Sequence, residues 1–339
     1  MNNSISTRDR AAGALLGMFI GDALAMPVHW YYDTRALKND YGQVSSYQPP
    51  RNPHPDSILW RCSYTPPAGT PDILHDQAQY WGKRDIHYHQ FLRAGENTLN
   101  LKLARELLLQ LQEDGDYSAD SWLDRLIAFM TTPGSHNDTY VEEYLRHFFI
   151  NYGKGKRPAR CGRMDEKHIG GFSLMIPLTV AFSQNPAHAS AVSLQNLALT
   201  HGGPVMRQWG GFISSTLLNL LQGESLCQSM AAGARESALA IDVGFLKTLC
   251  EYPDHIVVGK HFSSACYVDQ SVPATLYLAL KYQDEPEQAM IANTACGGDN
   301  GGRGTVLGAL LGALHGQQGW PSRWTEGLLH PPPLVLLES

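Results

Sequence analysis

Glycine recurs every fourth residue near both ends of the chain, as Gly13, Gly17 and Gly21 in one run and Gly304, Gly308, Gly312 and Gly316 in the other. On a helix, a spacing of four lines these residues up along one face, and a face without side chains admits a partner backbone at close range. The pentapeptide Gly-Ala-Leu-Leu-Gly occurs in both runs, at 13–17 and at 308–312. The rows predict two helices that pack on each other from opposite ends of the chain, closing residues 1–339 into a single domain. Antiparallel packing would bring Asp22, which follows the first row, near Asp299, which precedes the second.

Between these runs the apolar spacing is helical nearly throughout. Leu99, Leu103, Leu107 and Leu111 mark one helix, Trp122 to Met130 a second and Val141 to Ile150 a third. The third begins Thr139-Tyr140-Val141-Glu142, which fits a capping box. Further helices are expected over 172–182, 187–200, 205–221, 226–243, 273–282 and 285–294. The nearest approach to a Val/Ile-rich alternating run is Ile256-Val257-Val258. The pattern predicts an all-α, bundle-like fold. Residues 40 to 90 stand apart, with seven prolines and few aliphatics, and read as a long ordered loop or lid. Its His75, His87 and His89 either bind a metal or, as is commoner for loop histidines, face solvent.

A net charge of −6 and the lack of a long basic run argue against a nucleic-acid partner. The densest basic stretch, Lys154 to Arg163, lies among Gly and Pro and reads as a solvated loop or an anion contact. Six scattered cysteines, none in a CxxC pair, suggest free thiols in a reducing cytoplasm. Near the N-terminus, Arg8 and Arg10 precede an apolar run and Ala23-Leu24-Ala25, which imitates a secretory signal. Asp9 and Asp22 flank that run, and it is shorter than the ~20 residues of a membrane span. It reads as a buried helix of a cytoplasmic protein that does not enter a membrane.

Four polar, Gly-containing stretches sit at predicted helix edges: Gly21-Asp22 through His29, Gly95-Glu96-Asn97-Thr98, His201-Gly202-Gly203-Pro204, and Gly297 through Arg303. Each alone is compatible with helix capping or a core hydrogen bond. The last, with Gly297, Gly298, Asp299, Asn300, Gly301 and Gly302 ahead of a helix, also fits an anion site at a helix N-terminus. Taken in order along the chain, they resemble the ADP-ribosylglycohydrolase family, which includes the J-crystallins and the dinitrogenase-reductase-activating glycohydrolases. Ala12 to Gly17 with Gly21-Asp22-Ala23-Leu24 are similar to the family's opening helix and GDALG motif. Leu199-Thr200-His201-Gly202 resemble its TH-containing junction, and Cys296 to Asp299 with Gly304 to Gly312 resemble its closing GGD-x-D-T-x-G-A signature. The resemblance implies an all-α single domain acting on a small ADP-ribosyl or nucleotide-like ligand.

It also implies a binuclear Mg²⁺ centre, held by a T-D-D-T motif and the D-x-D-T of the closing signature, since Mg²⁺ takes oxygen ligands in near-octahedral geometry. This sequence departs at those positions. Glu96-Asn97 stand where two aspartates are expected, Asn300-Gly301-Gly302 follow Asp299, and His29 replaces the acid after GDALG. Arg303 adds a cation, free to pair with Asp299 or Glu96 or to grip a phosphate. Two carboxylates under-neutralise two divalent ions. Either one ion held by Glu96, Asn97 and Asp299 or no metal is expected. His29 within Pro27-Val28-His29-Trp30 and the altered turn resemble the J-crystallin branch. Three functions follow: glycosidic hydrolysis with Glu96, His29 and Asp299 as catalytic groups; ligand binding without catalysis, at Gly297, Gly298, Asn300 to Arg303, His201 and Gly202; and a crystallin-like structural role.

Overall fold

Helix follows helix along the chain: α1 (Thr7–Ala25), α2 (Thr34–Tyr41), α3 (Leu99–Asp114), α4 (Ala119–Thr131) and α5 (Glu143–Gly153). Then come α6 (Phe172–Ala181), α7 (Pro186–Thr200), α8 (Pro204–Leu221), α9 (Leu226–Glu236) and α10 (Val243–Leu249). The last five are α11 (Asp254–Val257), α12 (Val268–Lys281), α13 (Pro286–Ala295), α14 (Asn300–His315) and α15 (Ser322–Thr325). The computed structural model describes residues 5–338, and among them β-structure is limited to three isolated bridges. The fold is all-α, as the spacing predicted.

The two glycine helices form its centre. α1 and α14 run antiparallel, with Gly13 against Gly312 and Gly316, Gly17 against Gly308, and Gly21 against Gly304. Their backbones approach so closely that a Cβ on Gly308 would stand 1.9 Å from the Gly17 carbonyl oxygen. α1 is buried on every side from Ala11 to Ala25, which is why its apolar residues show no amphipathic stripe. Thr7–Val28 is long and apolar enough to cross a membrane, but its apolar part from Ala11 onward is buried in the protein. α6, α8, α12 and α13 surround the central pair and share one hydrophobic core with it.

Several helix limits differ from expectation for identifiable reasons. The Thr139–Glu142 capping box does not form: Thr139 Oγ1 donates to Gln77, and the Glu142 carboxylate is held by Asn100 instead. α5 therefore starts at Glu143, with no side-chain cap. The expected 226–243 helix is two, because Ala238 takes φ 54° and Asp242 caps a new helix through Phe245 N. α12 begins at Val268, five residues before its internal Pro273.

Between α2 and α3 the Pro-rich stretch contains only short 3-10 turns, over Leu59–Arg61 and His75–Tyr80. It is folded onto the core. His54, His87 and His89 are buried, so solvation was the wrong expectation for the last two. Burial of polar rings demands partners, and those partners define the site.

Candidate functional site

Three helix ends meet here: the C-terminus of α1 and the N-termini of α3 and α14. Asp22 faces α3, and its carboxylate accepts from Thr98 N at 2.8 Å, Thr98 Oγ1 at 2.6 Å and Asn97 Nδ2 at 2.8 Å. It fastens the start of α3 to the end of α1. Burial pushes its carboxyl up against these three donors.

Beside it, His29 Nε2 contacts Asp299 Oδ1 at 3.0 Å and His29 Nδ1 contacts His89 Nε2 at 2.9 Å. His89 Nδ1 then meets Asp138 Oδ1 at 2.6 Å, and Asp138 Oδ2 accepts from Leu99 N at 2.9 Å. All four side chains are nearly closed to solvent. Burial opposes ionisation of both aspartates. For Asp299 the hydrogen bond and charge of His29 and the Gly302 N–H outweigh it, and for Asp138 the charge and hydrogen bond of His89 do so; both carboxyls are held below their ordinary range. Three contacts between two carboxylates and two rings need three N–H groups, one more than two neutral imidazoles carry. The chain Asp299–His29–His89–Asp138 therefore carries one proton beyond those of neutral rings and a net negative charge, and burial lowers the His29 pKa against the hydrogen bond and charge of Asp299.

The altered residues of the closing turn make room for this chain. A Cβ on Gly301 would lie 3.0 Å from His29 Cε1 and Nε2, so the imidazole fills the space a side chain would take. A Cβ on Gly302 would stand 2.5 Å from Ile169 Cγ2 and 3.0 Å from both Asp299 carboxylate oxygens.

Narrow spaces lie between Asp22, His29, Thr98 and Gly301 and beside His29, His89, Asn100 and Glu142. A cavity of about 180 Å³ shares Trp30, Tyr140 and Glu142 with the second of these and is walled further by Tyr32, Tyr88, His168 and Cys266. Trp30 adopts φ 61°, rare for a bulky residue, with its N–H on Gly298 O at 2.8 Å. That turn lays its indole on His29 at 3.9 Å between centroids, with Tyr88 and Tyr140 edge-on at 4.8 and 4.7 Å. Burial, and then the charge of Asp299, push the Glu142 carboxyl up to about 7.

The other residues expected from sequence are placed differently. Glu96 does not meet Asp299. It lines a separate cavity of about 420 Å³ and is held by Lys102 Nζ at 2.8 Å. Asn97 turns its amide nitrogen to Asp22 and to Phe19 O. Arg303 is fully buried and donates to Asn293 Oδ1, Ser264 O and Gly297 O, so its guanidinium braces the turn and pairs with neither carboxylate. Gly297 and Gly298, both at φ 62°, press against the Tyr31 and Ser264 carbonyls. Gly298 N and Asp299 N donate to those same carbonyls, which removes them from any anion cradle. Asn300 donates to Val28 O and Thr294 O. His201 packs on Gly171 and Tyr144 with Nδ1 on Thr200 Oγ1, its pKa driven down to about 3 by burial, and Gly202 is covered by Met164. Neither residue lines the aromatic cavity.

This donor set does not fit a binuclear Mg²⁺ centre. Asp22 and Asp299 accept from protein donors, Glu96 is elsewhere, and residues 301 and 302 offer no side-chain oxygen. Among the described residues no group of three or more His, Cys, Asp or Glu is disposed to hold a metal ion.

Sequence reasoning missed Asn100 and the roles of His89, Asp138 and Glu142. Asp138-Thr139 resembles the lost metal motif, but it lies about forty residues beyond the expected place. Its bonds to His89 of the Pro-rich loop and to Leu99 N of α3 bring it to the site.

A solved structure described as an ADP-ribosylglycohydrolase-related protein complex has the same fold. It aligns with 98% of this chain and 96% of its own at a TM-score of 0.62 and 19% identity. The profile of the ADP-ribosylglycohydrolase family matches residues 3–338, and the chain belongs to that family. No curated protein matches it.

Proposed function

We propose that the chain hydrolyses an ADP-ribosyl or related N- or O-glycosidic bond, without the paired metal ions the family resemblance implies. Family membership supports a hydrolase-like function. The observation that carries the finer reading is the Asp299–His29–His89–Asp138 chain, whose His29, His89 and Asp138 line a narrow space that shares Trp30, Tyr140 and Glu142 with the aromatic cavity. Asp299 is ionised and buried, and a water beside it would lose its proton to the carboxylate while its oxygen adds to the anomeric carbon. His29 orients Asp299 and, through His89, ties it to a second carboxylate. About 180 Å³ is below the usual ~300 Å³ of a whole-ligand pocket, so one sugar or heterocyclic ring enters between the aromatic faces and the rest stays outside.

The test is hydrolysis of an ADP-ribosyl-arginine conjugate with Mg²⁺ present and with chelator. Turnover in both, lost by about a hundredfold in Asp299→Asn and in His29→Ala, is the expected result. A wild-type protein inactive in both buffers refutes it. Micromolar binding of ADP-ribose by such an inactive protein would favour the non-catalytic binder, which the loss of side-chain oxygens at Gly301 and Gly302 also suits. Absence of binding as well would leave the crystallin-like role.

A further inference from the structure

We propose that Glu142 is the acid that protonates the leaving group as the glycosidic bond breaks; the proposal rests on the hydrolase reading above. Glu142 occupies none of the motif positions, and the capping role its sequence context suggested is not the one it plays. It sits at the N-cap of α5 without capping it, and its carboxylate lines both the narrow passage beside His29 and the wider aromatic cavity.

Its geometry is fixed from two sides. Glu142 Oε1 accepts from Asn100 Nδ2 at 2.6 Å, and Asn100 Oδ1 accepts from Tyr144 OH at 2.9 Å. With the amide so placed, an N–H meets Glu142 while the Tyr144 phenol donates to the carbonyl end. On the other side a Cβ on Gly170 would fall 3.0 Å from Oε2 and 3.3 Å from Oε1, so glycine there leaves the carboxyl its place. The charged groups acting on it are Asp299 and Glu166, which favour the protonated form, and His168, which favours the ionised one. Burial comes first among the causes that push it up to about 7, where a carboxyl both holds and releases a proton at neutral pH. Asp299, held low in the same site, makes the complementary partner.

The step balances without a metal. Water adds through oxygen to the anomeric carbon and gives a proton to Asp299; the bond from that carbon to the leaving nitrogen or oxygen breaks, its electron pair staying on the leaving atom. That atom takes the proton of Glu142. Exchange with solvent then returns one proton to Glu142 and removes one from Asp299.

Two ribosyl substrates separate this role from a structural one: an alkyl riboside, whose leaving group needs a proton, and a 4-nitrophenyl riboside, whose leaving group does not. Glu142→Gln should lower kcat on the first by at least about a hundredfold and on the second by only a few-fold. The wild-type pH profile on the first should fall above about pH 7, and that limb should vanish in the variant. Equal loss on both substrates, or no loss on the first, overturns the proposal. A wild-type protein inactive on both overturns the hydrolase reading itself. Should Glu142→Gln fail to fold, carboxyl infrared titration of the wild type against Glu142→Asp decides: a buried carboxyl titrating near pH 7 and altered in that variant supports the role, and titration below pH 5 overturns it.

Discussion

Replacing Gly308 by alanine is the sharpest test of the central helix pair. The new Cβ would stand 1.9 Å from Gly17 O, 2.3 Å from Gly17 C and 2.8 Å from Met290 Cε. Only the methionine can move aside cheaply; the other two atoms are backbone of a helix buried on all sides. Relief therefore requires α1 and α14 to separate locally by roughly 1.5 Å, and that gap forfeits a large part of the dispersion contact along the seam. Overpacking of a rigid core costs about 1–3 kcal/mol, and a backbone-to-backbone clash belongs at the upper end. Alanine returns about 1 kcal/mol through its better helix propensity. The net expectation is a loss of about 2 kcal/mol, which in a chain of this size lowers Tm by roughly 3 °C. Gly211→Ala supplies the control, because that helical glycine has only Ser237 Cβ nearby, at 3.7 Å, and should gain from propensity alone. Urea unfolding of both variants reads the difference. If Gly308→Ala is as stable as Gly211→Ala, the close-packing argument is wrong.

Glu142→Gln should change the pH dependence of stability as well as turnover. The folded protein holds this proton more tightly than the unfolded chain, so the contribution is present below about pH 4.5 and lost as pH rises to about 7. At 1.36 kcal/mol per unit that is up to about 3 kcal/mol, read by urea unfolding of wild type against variant between pH 4 and 8. His89→Phe leaves Asp138 buried without its imidazole partner and should cost about 3 kcal/mol; adding Asp138→Asn should restore most of it in a double-mutant cycle, and strictly additive losses would contradict the pairing. Gly301→Ala places a Cβ 3.0 Å from the His29 ring. Its stability should change by less than about 1 kcal/mol while kcat on an ADP-ribosyl-arginine conjugate falls at least tenfold, and unaltered kcat would show that the ring position is unimportant. Asp22→Ala strands the buried Thr98 N–H, Thr98 hydroxyl and Asn97 amide, and should lower stability by about 3 kcal/mol, measurable by calorimetry.

The local parts of the site were legible where one residue type has one consequence. Asp299 caps its helix through Gly302 N, as an acid before a glycine-rich helix start should. Arg303 shows the opposite case. An arginine beside two carboxylates invites an ion pair or a bound phosphate, yet three acceptors, one of them 39 residues away, take the guanidinium first. Glu96 keeps its carboxylate but faces Lys102, because an acid at a helix start can turn to either side and sequence does not say which.

The sequence by itself determined the all-α class and the antiparallel pairing of the first and last helices. Periodicity settles these, because a row of glycines has only one use for its missing side chains when the helix is buried. Tertiary structure alone decided the chemistry. His29 occupies the room left by Gly301, His89 and Asp138 arrive from a Pro-rich loop and the approach to α5, and Glu142 abandons a cap to face the cavity. Such groups come together through contacts between residues 40 to 270 positions apart, for which no local spacing carries a signal. Their ionisation follows from burial, which a sequence does not contain.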